Sequence, residues 1–334
     1  MVINRKVFKQ WMFLLLLVGG LIICWQIKDT GNSVINNHSP IRIGVSQTPL
    51  SAPFIIAEHL KLFKKRNINI SYVPCKGGVK CADLLNQGAV EYATASESVA
   101  MFNSFTDDDL ALVVSFVESM NDLKLLALKS SDLSSVHALA GKKVGIIQAS
   151  ASEFYFDTLL IVNNLKDMPV TKVYLSPEEM VNQLISYQLD AVSIWEPYGY
   201  RTHLQSGDSV VNLGLPGVYQ LSFNLLSRKS YLHGNNVQAA DILRGLGNAI
   251  EWIHTHPEQA KEIVSQKLDI PLNEIDWSWD DYVFRLSIGS SLLTSLQLQS
   301  RWAMERGLVQ GTAPDYRSVI YSQPFEVAEG GGNQ

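Results

Sequence analysis

The chain has 334 residues, a net charge of −5 and an apolar fraction of 46%. That length is too great for one small domain and suits two lobes of about 100–150 residues each. Acids outnumber bases, 32 to 27, and no dominant basic patch stands out, which argues against nucleic acid as a partner.

Arg5, Lys6 and Lys9 precede a continuous apolar run from Trp11 to Trp25. A charged start and an apolar stretch of about 15 residues make the pattern of an export segment. The bases hold the N-terminal side in the cytoplasm and send the rest across. No small-x-small cleavage pair follows, and Leu21-Ile22-Ile23-Cys24 has only the outline of a lipoprotein box, with a bulky Ile23. Retention as an anchor, cleavage, and lipidation at Cys24 therefore stay open. Residues 1–25 are read as this segment and 26–40 as a polar tether rich in turn formers. Without Arg5, Lys6 and Lys9, 24 bases face 32 acids, so the exported part carries −8.

Ile41–Val45 alternates as a strand, and a helix carrying Ile55, Ile56, Leu60 and Phe63 follows. A strand at Ile68–Val73, a helix at Val79–Asn86 and a strand at Val90–Thr94 complete a β-α-β-α-β run, the start of a parallel sheet. Apolar strands follow at Ala111–Val117 and Leu123–Leu128. The pattern then starts again. Strand Lys143–Ile147, helix Ser152–Asn163 and strand Thr171–Leu175 lead to Ser176-Pro177-Glu178-Glu179, a helix start with Ser as N-cap and Glu179 placed to close a capping box. Leu189–Ile194 is the third strand of this second unit. Val210–Leu213 follows, and Leu221–Ser227 reads as a return crossing. Helices are expected over Asn236–His254, Pro257–Leu268, Ile275–Phe284 and Ser290–Glu305. The crossings are placed at 128–135 and 218–228. One lobe then comprises 41–128 with 228–334, the other 129–227.

Ligands of open α/β sheets bind beyond the C-terminal ends of the strands. That rule selects Gln47 and Thr48, Gly77 and Gly78, and Ser96 and Glu97 in the first lobe. In the second it selects Ser150 and Ser152 at a helix start, then Trp195, Glu196 and Tyr198. The two serines and the helix start can hold an anion, or simply cap the helix. Gly77-Gly78 allows close backbone approach to a ligand, or makes a turn. Trp195 and Tyr198 around Glu196 form a flat wall with one charge, whereas the alternative has Trp195 packing and Glu196 capping the next helix. Cys75 and Cys81, with five residues between them, can close a disulfide in an oxidising compartment. No Gly-x-Ser-x-Gly elbow, Walker loop or His-Glu-x-x-His occurs, so neither an enzyme nor a metal site is expected.

Several segments, in order, resemble the periplasmic solute-binding proteins of the sulfonate, taurine and nitrate type, which are grouped with the thiamine-precursor-binding domain family. They are Pro53-Phe54-Ile55-Ile56-Ala57-Glu58, Leu84-Leu85-Asn86-Gln87-Gly88, Leu139-Ala140-Gly141-Lys142-Lys143-Val144-Gly145 and Asp190-Ala191-Val192-Ser193-Ile194-Trp195-Glu196-Pro197, with Trp252 and Pro257-Glu258-Gln259-Ala260 behind. The resemblance covers about residues 41–270 and departs at His59-Leu60, where the family usually has a Gly. It implies an α/β type II periplasmic binding protein fold, with two lobes of mostly parallel sheet flanked by helices and joined by two hinge crossings. It implies a small-molecule ligand and delivery to an ABC permease with a cytoplasmic ATPase, on the periplasmic side of the inner membrane. It implies no cofactor. The Cys-rich motif of the yeast-type thiamine-precursor synthases of this fold is absent. The rival expectation is a tethered periplasmic sensor that passes ligand occupancy to a signalling partner.

Overall fold

The computed structural model of the chain describes residues 39–330. The export segment, Cys24 and nearly all of the tether lie outside the described residues. Among the described residues no helix is long and apolar enough to cross a membrane. In chain order the strands are β1 (Ile41–Ser46), β2 (Ile70–Cys75), β3 (Tyr92–Ser96), β4 (Leu110–Ser119), β5 (Leu123–Leu128), β6 (Lys143–Ile146), β7 (Thr171–Tyr174), β8 (Ala191–Trp195), β9 (Val210–Asn212), β10 (Leu221–Arg228) and β11 (Tyr282–Ser287).

They form two mixed sheets. The first has the order β11-β4-β10-β3-β1-β2, the second β7-β6-β8-β5-β9. β1 lies parallel to both β2 and β3, with Ile41 opposite Ile70 and Ile43 opposite Tyr92. β6 lies parallel to β7 and β8 in the same way. Each parallel step needs a crossover, and helices supply it: Ala52–His59 and Gly77–Asn86 in the first lobe, Ala151–Val162 and Pro177–Ile185 in the second. β10 runs antiparallel between β3 and β4, and β11 antiparallel beside β4. In the second sheet β5 alone opposes its neighbours β8 and β9. The capping box forms: Ser176 Oγ accepts from Glu179 N, and Glu179 Oε2 accepts from Ser176 N at 2.9 Å.

The lobe boundaries differ from the sequence reading. β5 belongs to the second sheet, so the first crossing is 120–122 rather than 128–135. β10 is an inner strand of the first sheet, so the return crossing is 213–220 rather than 218–228. Both strands are buried along nearly their whole length. A strand that is apolar on both faces carries no mark of which sheet it joins. The helix expected over Ile275–Phe284 is instead Leu272–Trp279 followed by β11, where Tyr282 and Phe284 point inward and Val283 and Arg285 outward.

The main core runs through both lobes, with Phe54, Phe116 and Phe223 in a chain of edge-to-face contacts. A smaller core, built on Met180, Val181, Leu184, Val192 and Ile194, covers the other face of the second sheet. The helix Asn236–Thr255 packs on Ala52–His59, and Ser290–Glu305 packs on Glu97–Ser104.

Candidate ligand-binding site

The C-terminal ends of β1, β2 and β3 face those of β6 and β8 across a cavity of about 30 Å³, so the sheets stand nearly closed on each other. The first lobe contributes Ser46 and Thr48 after β1, Gly77 and Gly78 after β2, and Ser96 after β3. The second contributes Ser150, Ala151 and Trp195. Asp122 enters from the first crossing, Leu123 from the start of β5, and Leu221 and Phe223 from β10.

Three helices begin at this cavity. The helix Gly77–Asn86 has no side-chain cap at Lys76, so its first N–H groups are left for another acceptor. Gly77 has φ +81°, a left-handed conformation that favours glycine. A Cβ at Gly78 would stand 2.8 Å from Ala95 Cα, so only glycine brings this helix start against β3. A disulfide joins Cys75 at the end of β2 to Cys81 in the helix, with Cα atoms 5.4 Å apart, and closes the glycine turn. The helix Glu97–Ser104 is capped by Ser96 Oγ, which accepts from Val99 N. The helix Ala151–Val162 is capped by Ser150, whose Oγ accepts from Ser152 N and donates to Ile147 O at 2.7 Å. Helix starts carry partial positive charge and suit anions.

The hydroxyls of Ser46 and Thr48 are buried without a partner. So is Asp122 Oδ2, while Asp122 Oδ1 accepts a hydrogen bond from the Tyr282 hydroxyl at 3.1 Å. Burial first, and the Glu196 carboxylate next, push Asp122 up to about 8, against the Tyr282 hydrogen bond and the Lys124 charge. Among the described residues Asp122 is the one acid on the cavity wall, and no Lys, Arg or His lines it. The unspent groups are therefore hydroxyls, backbone N–H groups and one carboxyl, set among Leu50, Val79, Val99 and Phe223. Such a wall can hold a compact oxyanion with an apolar tail. Among the described residues no cluster of three or more His, Cys, Asp and Glu could hold a metal ion.

Of the residues the sequence selects, Thr48, Gly77, Gly78, Ser96, Ser150 and Trp195 line the cavity. Five do not. Gln47 is exposed and its amide turns back to Val45 O. Glu97 points into the protein, where it accepts from Tyr219 Oη, from Ser222 N at 2.8 Å and from Gln299 Nε2 at 2.9 Å. Ser152 Oγ donates to Ser193 O at 2.6 Å and ties its helix to β8. Glu196 folds under the next helix, accepting from Tyr200 N at 2.9 Å and Trp277 Nε1 at 3.1 Å, and burial raises its pKa. Tyr198 donates to Glu178 Oε1 at 3.0 Å, an oxygen that also accepts from Lys76 Nζ at 3.2 Å. Each of the five has a hydrogen-bond partner away from the cavity wall, and adjacency to a strand end does not reveal that partner. Ser46, Asp122 and Phe223 are the principal residues the sequence reading misses. Ser46 is the last residue of β1, so the strand-end rule reaches it; Asp122 and Phe223 depend on where the crossings fall.

A model of the NMT1/THI5-like family matches residues 48–260. A protein of Bacillus subtilis (strain 168) described as a putative aliphatic sulfonates-binding protein is 23% identical over 253 residues, 70% of this chain and 75% of that one. The structure of the periplasmic aliphatic sulphonate-binding protein SsuA from Escherichia coli superposes with a TM-score of 0.75 at 21% identity, covering 86% of this chain and 93% of that chain. The alkanesulfonate-binding protein SsuA from Xanthomonas axonopodis pv. citri, bound to MOPS, also gives 0.75, at 17% identity, over 85% of this chain and 99% of that one. At these identities the likeness to the solved structures establishes the fold.

Proposed function

The chain belongs to the NMT1/THI5-like family, and on that premise we propose that it is the exported solute-binding component of an ABC importer. It captures a small organic oxyanion between its two lobes, a sulfonate in the first place, and presents it to a membrane permease with a cytoplasmic ATPase. One observation carries the reading: uncapped N–H groups at a helix start and unpartnered hydroxyls of Ser46 and Thr48 converge on a cavity that Trp195 closes from the opposite lobe. Donors without acceptors in a buried cavity are costly unless a ligand supplies the acceptor. Thr48, Gly77, Gly78, Ser96, Ser150 and Trp195 are its binding residues, together with Ser46. The sulfonate-binding names of the Bacillus and Escherichia relatives point to the same ligand class. The apolar run Trp11–Trp25 directs the chain to the periplasmic side of the inner membrane, where it stays anchored or is released.

A thermal-shift panel of ethanesulfonate, taurine, nitrate and an aminopyrimidine on the purified protein tests this. At a hundredfold excess over Kd, a ligand of the folded state adds about 2.7 kcal/mol and raises the melting temperature by several degrees. Ethanesulfonate is expected to do so. A protein freed of carried-over ligand that responds to none of the four would refute the carrier role.

A further inference from the structure

We propose that Asp122 meets the bound oxyanion as a neutral carboxylic acid, donating a hydrogen bond from Oδ2 into the cavity. This rests on the oxyanion reading above and adds a binding residue and a proton to it. Asp122 is 1% exposed, lines the cavity, and has Oδ1 occupied by the Tyr282 hydroxyl and Oδ2 without a partner. Of the two carboxyl oxygens, the unpartnered Oδ2 is thus the one free to carry a proton. In the ionised form it would set a negative charge against an oxyanion in a cavity whose wall, among the described residues, carries no cationic side chain. In the neutral form it joins Ser46, Thr48 and the helix starts as one more donor.

The charged and titratable groups facing Asp122 favour the proton. From β5 comes Lys124, whose ammonium already donates to Asn121 O and stands 4.0 Å from Glu196. From beyond β8 comes Glu196, and from the turn before β11 Asp281, both raising Asp122. Tyr282 of β11 and Tyr219 of the return crossing are phenols that burial keeps neutral. Burial and two carboxylates outweigh the single ammonium and the Tyr282 hydrogen bond, and Asp122 titrates near 8. Below that pH the free site already holds the proton. Above it, each oxyanion bound takes one proton from solvent onto Asp122 Oδ2.

The test is the Kd of ethanesulfonate, an anion at every pH used, measured by calorimetry from pH 6 to 9.5 in buffers of different ionisation enthalpy. For the natural protein the Kd is expected to be flat below pH 7 and to rise toward tenfold per pH unit above about 8, with uptake of one proton. Asp122→Asn keeps a neutral donor at the same place, so its Kd at pH 7 stays within a few-fold and its profile is flat. Tyr282→Phe removes a hydrogen bond that favours the charged form, so its rise in Kd moves to higher pH; this arm decides the matter should Asp122→Asn not fold. Ethanesulfonate binding that is independent of pH in the natural protein overturns the assignment and leaves the carrier reading standing. So does a hundredfold loss in Asp122→Asn, or a Tyr282→Phe profile that is unmoved or shifts to lower pH. Binding of taurine alone, tightening as pH rises, also overturns it and makes Asp122 a carboxylate that pairs with the ligand's ammonium. Failure of every sulfonate at every pH brings down the oxyanion reading and this inference together.

Discussion

Trp195 spans the gap between the lobes: its ring lies 3.3 Å from where a Cβ on Gly77 would sit. The ring closes the cavity against the glycine turn, and loss of an aromatic contact with a bound organic group weakens binding by about 1–3 kcal/mol. Trp195→Ala is expected to raise the Kd of ethanesulfonate accordingly while the melting temperature of the ligand-free protein changes little, because the side chain is only partly buried. Unfolding of this variant, with normal binding by whatever remains folded, would make Trp195 a packing residue. Asp122 has a second consequence, for stability. Its folded-state pKa is raised to about 8 from the ordinary aspartate value of 3.8, chiefly by burial. Between those pH values the folded protein holds a proton that the unfolded chain has lost, so stability from this group falls as pH rises from about 4 to about 8. Asp122→Asn lacks that slope. Its melting temperature should gain on that of the natural protein across this window and stop gaining above it. A difference that stays constant with pH would contradict the titration.

The helix Gly77–Asn86 depends on two local devices, the Gly77-Gly78 turn and the Cys75–Cys81 disulfide. A loop this short removes little chain entropy, about 2–3 kcal/mol in the chain-entropy account. The fold has a continuous core without it, whereas the helix start at the cavity depends on the turn it closes. The double variant Cys75→Ser/Cys81→Ser should therefore fold with at most that loss in denaturant unfolding and bind ethanesulfonate distinctly more weakly. Unchanged affinity would show that the turn holds its shape unaided. The helix Glu97–Ser104 is secured from the opposite side. Glu97 joins it to the return crossing through Tyr219, to β10 through Ser222 and to the last long helix through Gln299. Its carboxylate thus sets the position of Ser96, one residue earlier, on the cavity wall.

At the scale of the molecule, elements of the first lobe grip the second on both sides of the cavity. Trp277 Nε1 donates to Glu196, and Arg201 pairs with Glu274 at 2.8 Å. On the other side Trp302 Nε1 donates to Asp157 at 3.0 Å, with Arg306 beside the same carboxylate, and its ring packs on both Phe102 and Phe154. Each N–H to a buried carboxylate contributes about 1.5–3 kcal/mol to the closed arrangement. Trp277→Phe/Trp302→Phe removes both donors and keeps most of the ring packing. Small-angle scattering should find this variant expanded without ligand and compact again with saturating ethanesulfonate. A radius of gyration equal to that of the natural protein without ligand would show that these contacts do not hold the lobes together.

The local elements and their doubling follow from signals between near neighbours in the chain. The alternation at Ile41–Val45, the Ser176–Glu179 capping box and the repeated β-α-β-α-β run are written in short-range periodicity and cap chemistry, which depend on neighbours in the chain. The strand-end rule then reached Thr48, Gly77, Gly78, Ser96, Ser150 and Trp195, because a parallel sheet puts all such ends at one edge. The remaining features depend on how the two sheets pack. β5 and β10 are buried on both faces, and burial alone does not say against which partner, so the crossings at 120–122 and 213–220 could not be read from hydropathy. Asp122 reaches the cavity because the first crossing passes there. Glu97 leaves it for donors on distant elements, Tyr219 and Gln299, and Glu196 for the first turn of the following helix at Tyr200 and for the distant Trp277. Those partners lie up to 202 residues away, and a contact at that separation is set by how the sheets pack.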